Sequence, residues 1–131
     1  MYRIGIDLGG TNIVAAVVDD NYNMVAKAKT PTAIPRTPDE IFDDIARVSK
    51  EAMAEAGLTI ADIKSVGIGT PGTVNAEGII EYANNLGFDH VPAKQMLIDR
   101  LGCQNVYVEN DANCAALGEA VAGCGHGAKD F

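Results

Sequence analysis

The stretch that decides the fold is IGIDLGGTNIVAAVVDD, residues 4–20. Ile4, Ile6 and Leu8 alternate with Gly5 and Asp7, which is the two-residue period of a strand with one buried face. Residues 13–18 read as a second strand. Only a short turn carrying Gly9, Gly10 and Thr11 separates the two, so the chain opens on a hairpin. A strand with a buried face that ends on a carboxylate, followed at once by bare backbone, asks for a reason.

Working outward, residues 2–8, 12–18 and 23–30 are expected as three consecutive strands, with DDNYN (19–23) as a tight turn. KTPTAIPRTP (29–38) holds three prolines and reads as a connecting loop. A helix follows. Thr37 caps it, Pro38 fits its first position, and Glu40 completes a capping box. Ile41, Phe42, Ile45, Val48, Ala52 and Met53 form its apolar face, and Gly57 stops it. IKSVGIGTPGTVN (63–75) is a short buried strand running into a glycine turn, and AEGII (76–80) suggests a small hairpin. Residues 91–102 read as a helix opened by Pro92 and closed by Gly102, residues 104–110 as a strand, and residues 111–123 as a helix of small residues. The order β-β-β-α-β-α-β-α predicts an α/β fold: a mixed five-stranded sheet with helices on its faces. There is no internal repeat or interdomain linker. The tail GCGHGAKDF (123–131) reads as a connection toward a further strand, so a truncated chain is expected.

The bulk numbers narrow the partners. A chain of 131 residues suits one domain, and 47% hydrophobic content can build a core. The formal net charge of -8 argues against nucleic acid or an anionic membrane as partner. Cys103, Cys114 and Cys124 are odd in number and form no CxxC pair, so reduced thiols and a cytoplasmic location are expected. No stretch has the make-up of a signal peptide, and no apolar run approaches the ~20 residues of a bilayer span.

Several short stretches can carry chemistry. The loop at Gly9, Gly10 and Thr11 matches neither G-x-x-x-x-G-K-[ST] nor G-x-G-x-x-G, and it joins strand to strand. Its backbone N–H groups can still face an anion, because no Cβ blocks the approach. Asp7 would then repel a polyphosphate unless a cation intervened, and Mg²⁺ held through water is the natural companion. A ligand-free hairpin turn explains the same residues equally well. GIGTPGTVN (67–75) is a second glycine turn in which Gly69, Thr70, Gly72 and Thr73 can approach a ligand, or simply turn the chain. In VENDANCAALGE (108–119), Asp111 stands where a strand gives way to a helix. It suits a helix N-cap and equally an ionised general base at a strand's carboxyl end, with Asn110 and Asn113 able to bond neighbouring hydroxyls. Asn84 and Asn85 offer amides that suit a polyol, although loops carry such residues routinely. His90 and His126 lack the further ligands of a zinc site.

Taken together these pieces resemble one family. GIDLGGTNIVAAVVD (5–19) looks like the phosphate-loop signature of ROK-family sugar kinases, within the actin-like ATPase (ribonuclease H-like) superfamily. GIGTPGTVN, NLGF and ENDANCAALGE recur in that family in this order, closest to its bacterial glucokinases. The resemblance implies an N-terminal lobe over residues 1–131, with the C-terminal lobe absent from this chain. It implies ATP-dependent phosphorylation of a hexose, glucose first. Asp111 would be the catalytic base, and Asn110, Asn85 and, with less support from the motif, Asn84 would contact the sugar. Gly72 and Thr73 would border the sugar and the transferred phosphate. Gly9, Gly10 and Thr11 would line the ATP phosphates, and Asp7 would hold Mg²⁺ through water. The second phosphate loop, the ExGH sugar motif, the zinc-binding cysteines and the adenosine pocket are missing, so structural zinc is expected only in the absent lobe. The fragment alone is expected to be inactive, and its exposed cleft wall is expected to promote self-association. The alternatives are a kinase for fructose or N-acetylmannosamine, a sugar-responsive ROK regulator lacking its DNA-binding segment, and an actin-like ATPase that binds no sugar.

Overall fold

The computed structural model describes residues 1–21, 23–34, 36–83 and 86–110. Its main sheet begins with an antiparallel meander: β1 (Tyr2–Leu8), β2 (Asn12–Val18) and β3 (Met24–Pro31). The chain then enters α1 (Pro38–Glu55) and a single 3₁₀ turn (Ile60–Asp62), and returns as β4 (Ile63–Thr70), parallel to β1. A second, three-stranded antiparallel sheet follows, made of β5 (Thr73–Val74), β6 (Ile80–Ala83) and β7 (Phe88–Val91). After α2 (Ala93–Leu101), β8 (Val106–Asn110) joins the main sheet parallel to β4. The main sheet is therefore mixed and five-stranded, in the order β3-β2-β1-β4-β8.

The predicted start of α1 is present in full. Thr37 accepts from the Glu40 N–H while the Glu40 carboxylate accepts from the Thr37 N–H, with Pro38 just inside. All six residues of the predicted apolar face are buried. They lie against one side of the sheet. In register, Ile4 faces Val17, Ile6 faces Ala15 and Leu8 faces Ile13, so these side chains share a face. Ile13 in turn pairs with Thr30, whose hydroxyl accepts from Arg47 of α1 at 3.1 Å. That bond fixes the helix on this face. Arg100 of α2 reaches Asp39 and Asp43 of α1 at 3.1 and 2.9 Å, which holds the two helices side by side. Phe42 of α1 and Phe88 of β7 stack with ring centroids 6.2 Å apart, joining the second sheet to the core.

The differences from the sequence reading are local. β3 runs over 24–31 rather than 23–30 and takes in Pro31, which an edge strand tolerates. The strand that opens the stretch 63–75 ends at Thr70, and the glycine turn expected after it begins at Pro71. Pro92 stands just outside α2 as its N-cap, and Gly102 closes it with φ at 82°. The small hairpin expected near 76–80 is one part of the second sheet, and β7 has no counterpart in the prediction. Four residues with polar centres, FDHV, give too weak a period to announce a strand. The helix predicted at 111–123 and the tail after it lie outside the described residues.

Candidate functional site

β1, β4 and β8 run parallel as neighbours, so their carboxyl ends emerge at one edge of the sheet. Every described site candidate sits at one of those ends. Asp7 and the loop of Gly9, Gly10 and Thr11 end β1. Gly72 and Thr73 follow β4, and Asn110 ends β8, in register with Thr70. In open α/β sheets ligands bind outside the carboxyl ends of the strands. Asp111 follows Asn110 in sequence but lies outside the described residues, as do Asn84 and Asn85. The two residues flanking that asparagine pair, Ala83 and Leu86, are buried.

Asp7 alternates with Ile6 and Leu8 and so belongs to the face of the sheet opposite α1. In register it lies beside Gly69 of β4, which lies beside Glu109 of β8. Gly69 has no side chain, so nothing from β4 fills the space between the two carboxylates. Glu109 had no place among the sequence candidates. Only strand register puts it in the row of Asp7, although its position at a strand end beside Asn110 was a usable signal. The Asp7 side chain is open to solvent, yet crowding by surrounding protein raises its pKa above the usual carboxylate value. Among the described residues desolvation is the one cause, and none of them offers Asp7 a compensating partner. A carboxylate in that state gains from a cation. Among the described residues no three acidic, histidine or cysteine side chains cluster to hold a metal unaided. One carboxylate suits Mg²⁺, which keeps most of its waters and shares its remaining positions with phosphate oxygens.

The hairpin loop is short and tied down. The Gly9 N–H donates to the Asn12 carbonyl at 3.0 Å. A Cβ at Gly9 would stand 3.2 Å from that same carbonyl oxygen, a tight but yielding contact. The Thr11 side chain is exposed at the loop's crest. Gly72 is a different case. Its φ is 92°, and a Cβ there would meet the Tyr82 carbonyl oxygen at 2.0 Å. Its glycine is explained by β6 pressing against it, whether or not a ligand comes near. Asn75 is also explained locally: its side-chain oxygen accepts from the Glu77 and Ile79 N–H groups, forming the turn between β5 and β6.

The sheet order and the strand-end cluster define a lobe of the actin-like ATPase fold. The ROK family model matches residues 3–131, and the chain belongs to the ROK family. It is 41% identical over 125 residues to a glucokinase of Streptomyces coelicolor, covering 95% of this chain and 37% of that protein. It is 38% identical over 119 residues to an N-acetyl-D-glucosamine kinase of Pasteurella multocida, covering 90% of this chain and 37% of that protein. Among solved structures, a ROK glucokinase from Streptomyces griseus in complex with glucose and AMPPNP superposes with a TM-score of 0.79 at 38% identity. That match covers 91% of this chain and 36% of the other. The chain thus spans little more than a third of the length of the relatives it matches.

Proposed function

We propose that this chain is the N-terminal lobe of an ATP-dependent sugar kinase and that glucose is its substrate. One observation carries the reading: three parallel strands end together, one on Asp7 and a glycine loop, one on a glycine turn, one on Asn110 directly before Asp111. Phosphoryl transfer asks a protein mainly for positioning and charge stabilisation. The loop of Gly9, Gly10 and Thr11 lines the phosphates of ATP, with the Gly10 and Thr11 N–H groups as donors, since the Gly9 N–H is spent on the Asn12 carbonyl. Asp7 holds Mg²⁺ through water, where the ion would neutralise phosphate charge. Asn110 and Asn85, with Asn84 beside it, orient the sugar, and Gly72 and Thr73 border the transferred phosphate. Asp111 takes the proton from the attacking sugar hydroxyl. A second lobe closes the cleft and limits hydrolysis of ATP by water.

Asp111→Asn tests the reading in the two-lobed protein. Sugar-dependent ADP release should fall by about 10²–10⁴-fold, the usual worth of a positioned base, while the sugar still binds by calorimetry. Turnover near that of the wild type would remove Asp111 from the role. The N-acetyl-D-glucosamine kinase relative supports a second substrate reading at similar identity. Competition between glucose and N-acetylglucosamine for one pool of ATP decides between them by the ratio of kcat/KM.

A further inference from the structure

Thr32 is a fully buried polar residue, and its bonds among the described residues serve the glycine loop or its anchor. It directly follows β3. Its hydroxyl donates to the Gly9 carbonyl at 2.7 Å, and its backbone N–H donates to the Thr11 carbonyl at 2.9 Å. Its own carbonyl accepts from Arg36 at 3.2 Å, and the same guanidinium nitrogen lies 2.6 Å from a carboxylate oxygen of Asp44 on α1. One buried residue therefore grips two carbonyls of the loop, and an ion pair anchors that residue to the helix.

We propose that Thr32 is a positioning residue for the nucleotide: it fixes the peptide planes of the loop so that backbone donors face the phosphates. The proposal rests on the kinase reading above. A peptide unit is planar and trans, so its C=O and N–H point in opposite directions. Holding the Gly9 carbonyl toward Thr32 turns the Gly10 N–H away from it. Holding the Thr11 carbonyl does the same to the Asn12 N–H. Two adjacent glycines would otherwise leave these planes free to rotate, and a ligand would have to order them on binding. Donors set in advance spare the ligand that cost. The clasp comes from a residue more than twenty positions along the chain, just past the end of the third strand of the meander.

The test uses the two-lobed enzyme and initial rates with Mg·ATP and sugar varied separately. Thr32→Val keeps the shape and removes the hydroxyl. It should raise KM for Mg·ATP about tenfold, as loss of one well-made hydrogen bond would, and leave KM for the sugar within about twofold of the wild type. Thr32→Ser restores the hydroxyl and should return KM for ATP to near the wild-type value. An unchanged KM for ATP, an equal rise in both KM values, or failure of serine to restore it would each overturn the proposal. If Thr32→Val does not fold, Arg36→Met loosens the same clasp from its far side and should raise KM for ATP about threefold; no change there overturns it equally. A wild-type protein that phosphorylates no sugar removes the kinase reading and the role of Thr32 with it. An active wild type with an indifferent Thr32→Val removes Thr32 alone.

Discussion

Two glycine turns stand at the same edge of the sheet, one after β1 and one after β4, and they use glycine for opposite reasons. At Gly72 the missing side chain makes room for protein: β6 crosses so close that a Cβ would overlap a backbone oxygen at 2.0 Å. At Gly9 the nearest obstacle to a Cβ is an oxygen of its own turn, at 3.2 Å. Gly72 is fixed by packing, whereas Gly9 belongs to a loop held from behind by Thr32. The two turns look alike as strings of Gly and Thr. Their difference shows that a glycine motif at a strand end says little until the neighbour that excludes its Cβ is known.

Three substitutions in this chain sharpen that contrast. Gly72→Ala should do the most harm to stability, about 3 kcal/mol, because it adds a left-handed backbone to a collision with main chain. Urea unfolding would read it, and a loss below about 1 kcal/mol would mean that β6 yields and the packing account is wrong. Gly9→Ala should cost no more than about 1 kcal/mol of stability, since only a few tenths of an ångström must be given. In the two-lobed enzyme its main effect should fall on KM for ATP. A stability loss matching that of Gly72→Ala would erase the distinction.

Asp7→Asn should have the smallest effect, and in the other direction. The raised pKa means that the ionised carboxylate is disfavoured in the folded state without ligand. Below the unfolded value of 3.8 the group is protonated in both states. As pH rises from there through the raised folded value, the folded wild type loses stability relative to the variant. At neutral pH Asp7→Asn should therefore be more stable, by on the order of a few tenths of a kcal/mol once solvent screening is allowed for. Thermal unfolding of both proteins at pH 3 and pH 7 without Mg²⁺ measures it. A less stable variant at neutral pH would show that Asp7 already has a favourable partner.

Much of the fold was legible because it rests on local chemistry. The capping box at Thr37 and Glu40, the 3.6-residue period of α1 and the alternation of β1 each need only a few neighbouring residues. The second sheet was harder, since its strands are two to four residues long and the hydrophobic contact that holds β7 comes from Phe42 on a distant helix. The site divided in the same way. Asp7 and the glycine loop stood out as a strand end followed by bare backbone. Glu109 did not, because its place in the row of Asp7 depends on two successive strand pairings. Thr32 read as one more polar residue in a proline-rich loop.

The order of residues by itself determined the strands of the main sheet, the helices α1 and α2 and the family, since periodicity, turn chemistry and motif spacing all act within a few positions of the chain. Tertiary structure alone decided which strand ends meet, which glycine is forced and which threonine grips the loop. Those depend on strand register and on hydrogen bonds between residues far apart in sequence, and both are set only when the sheet closes around its core.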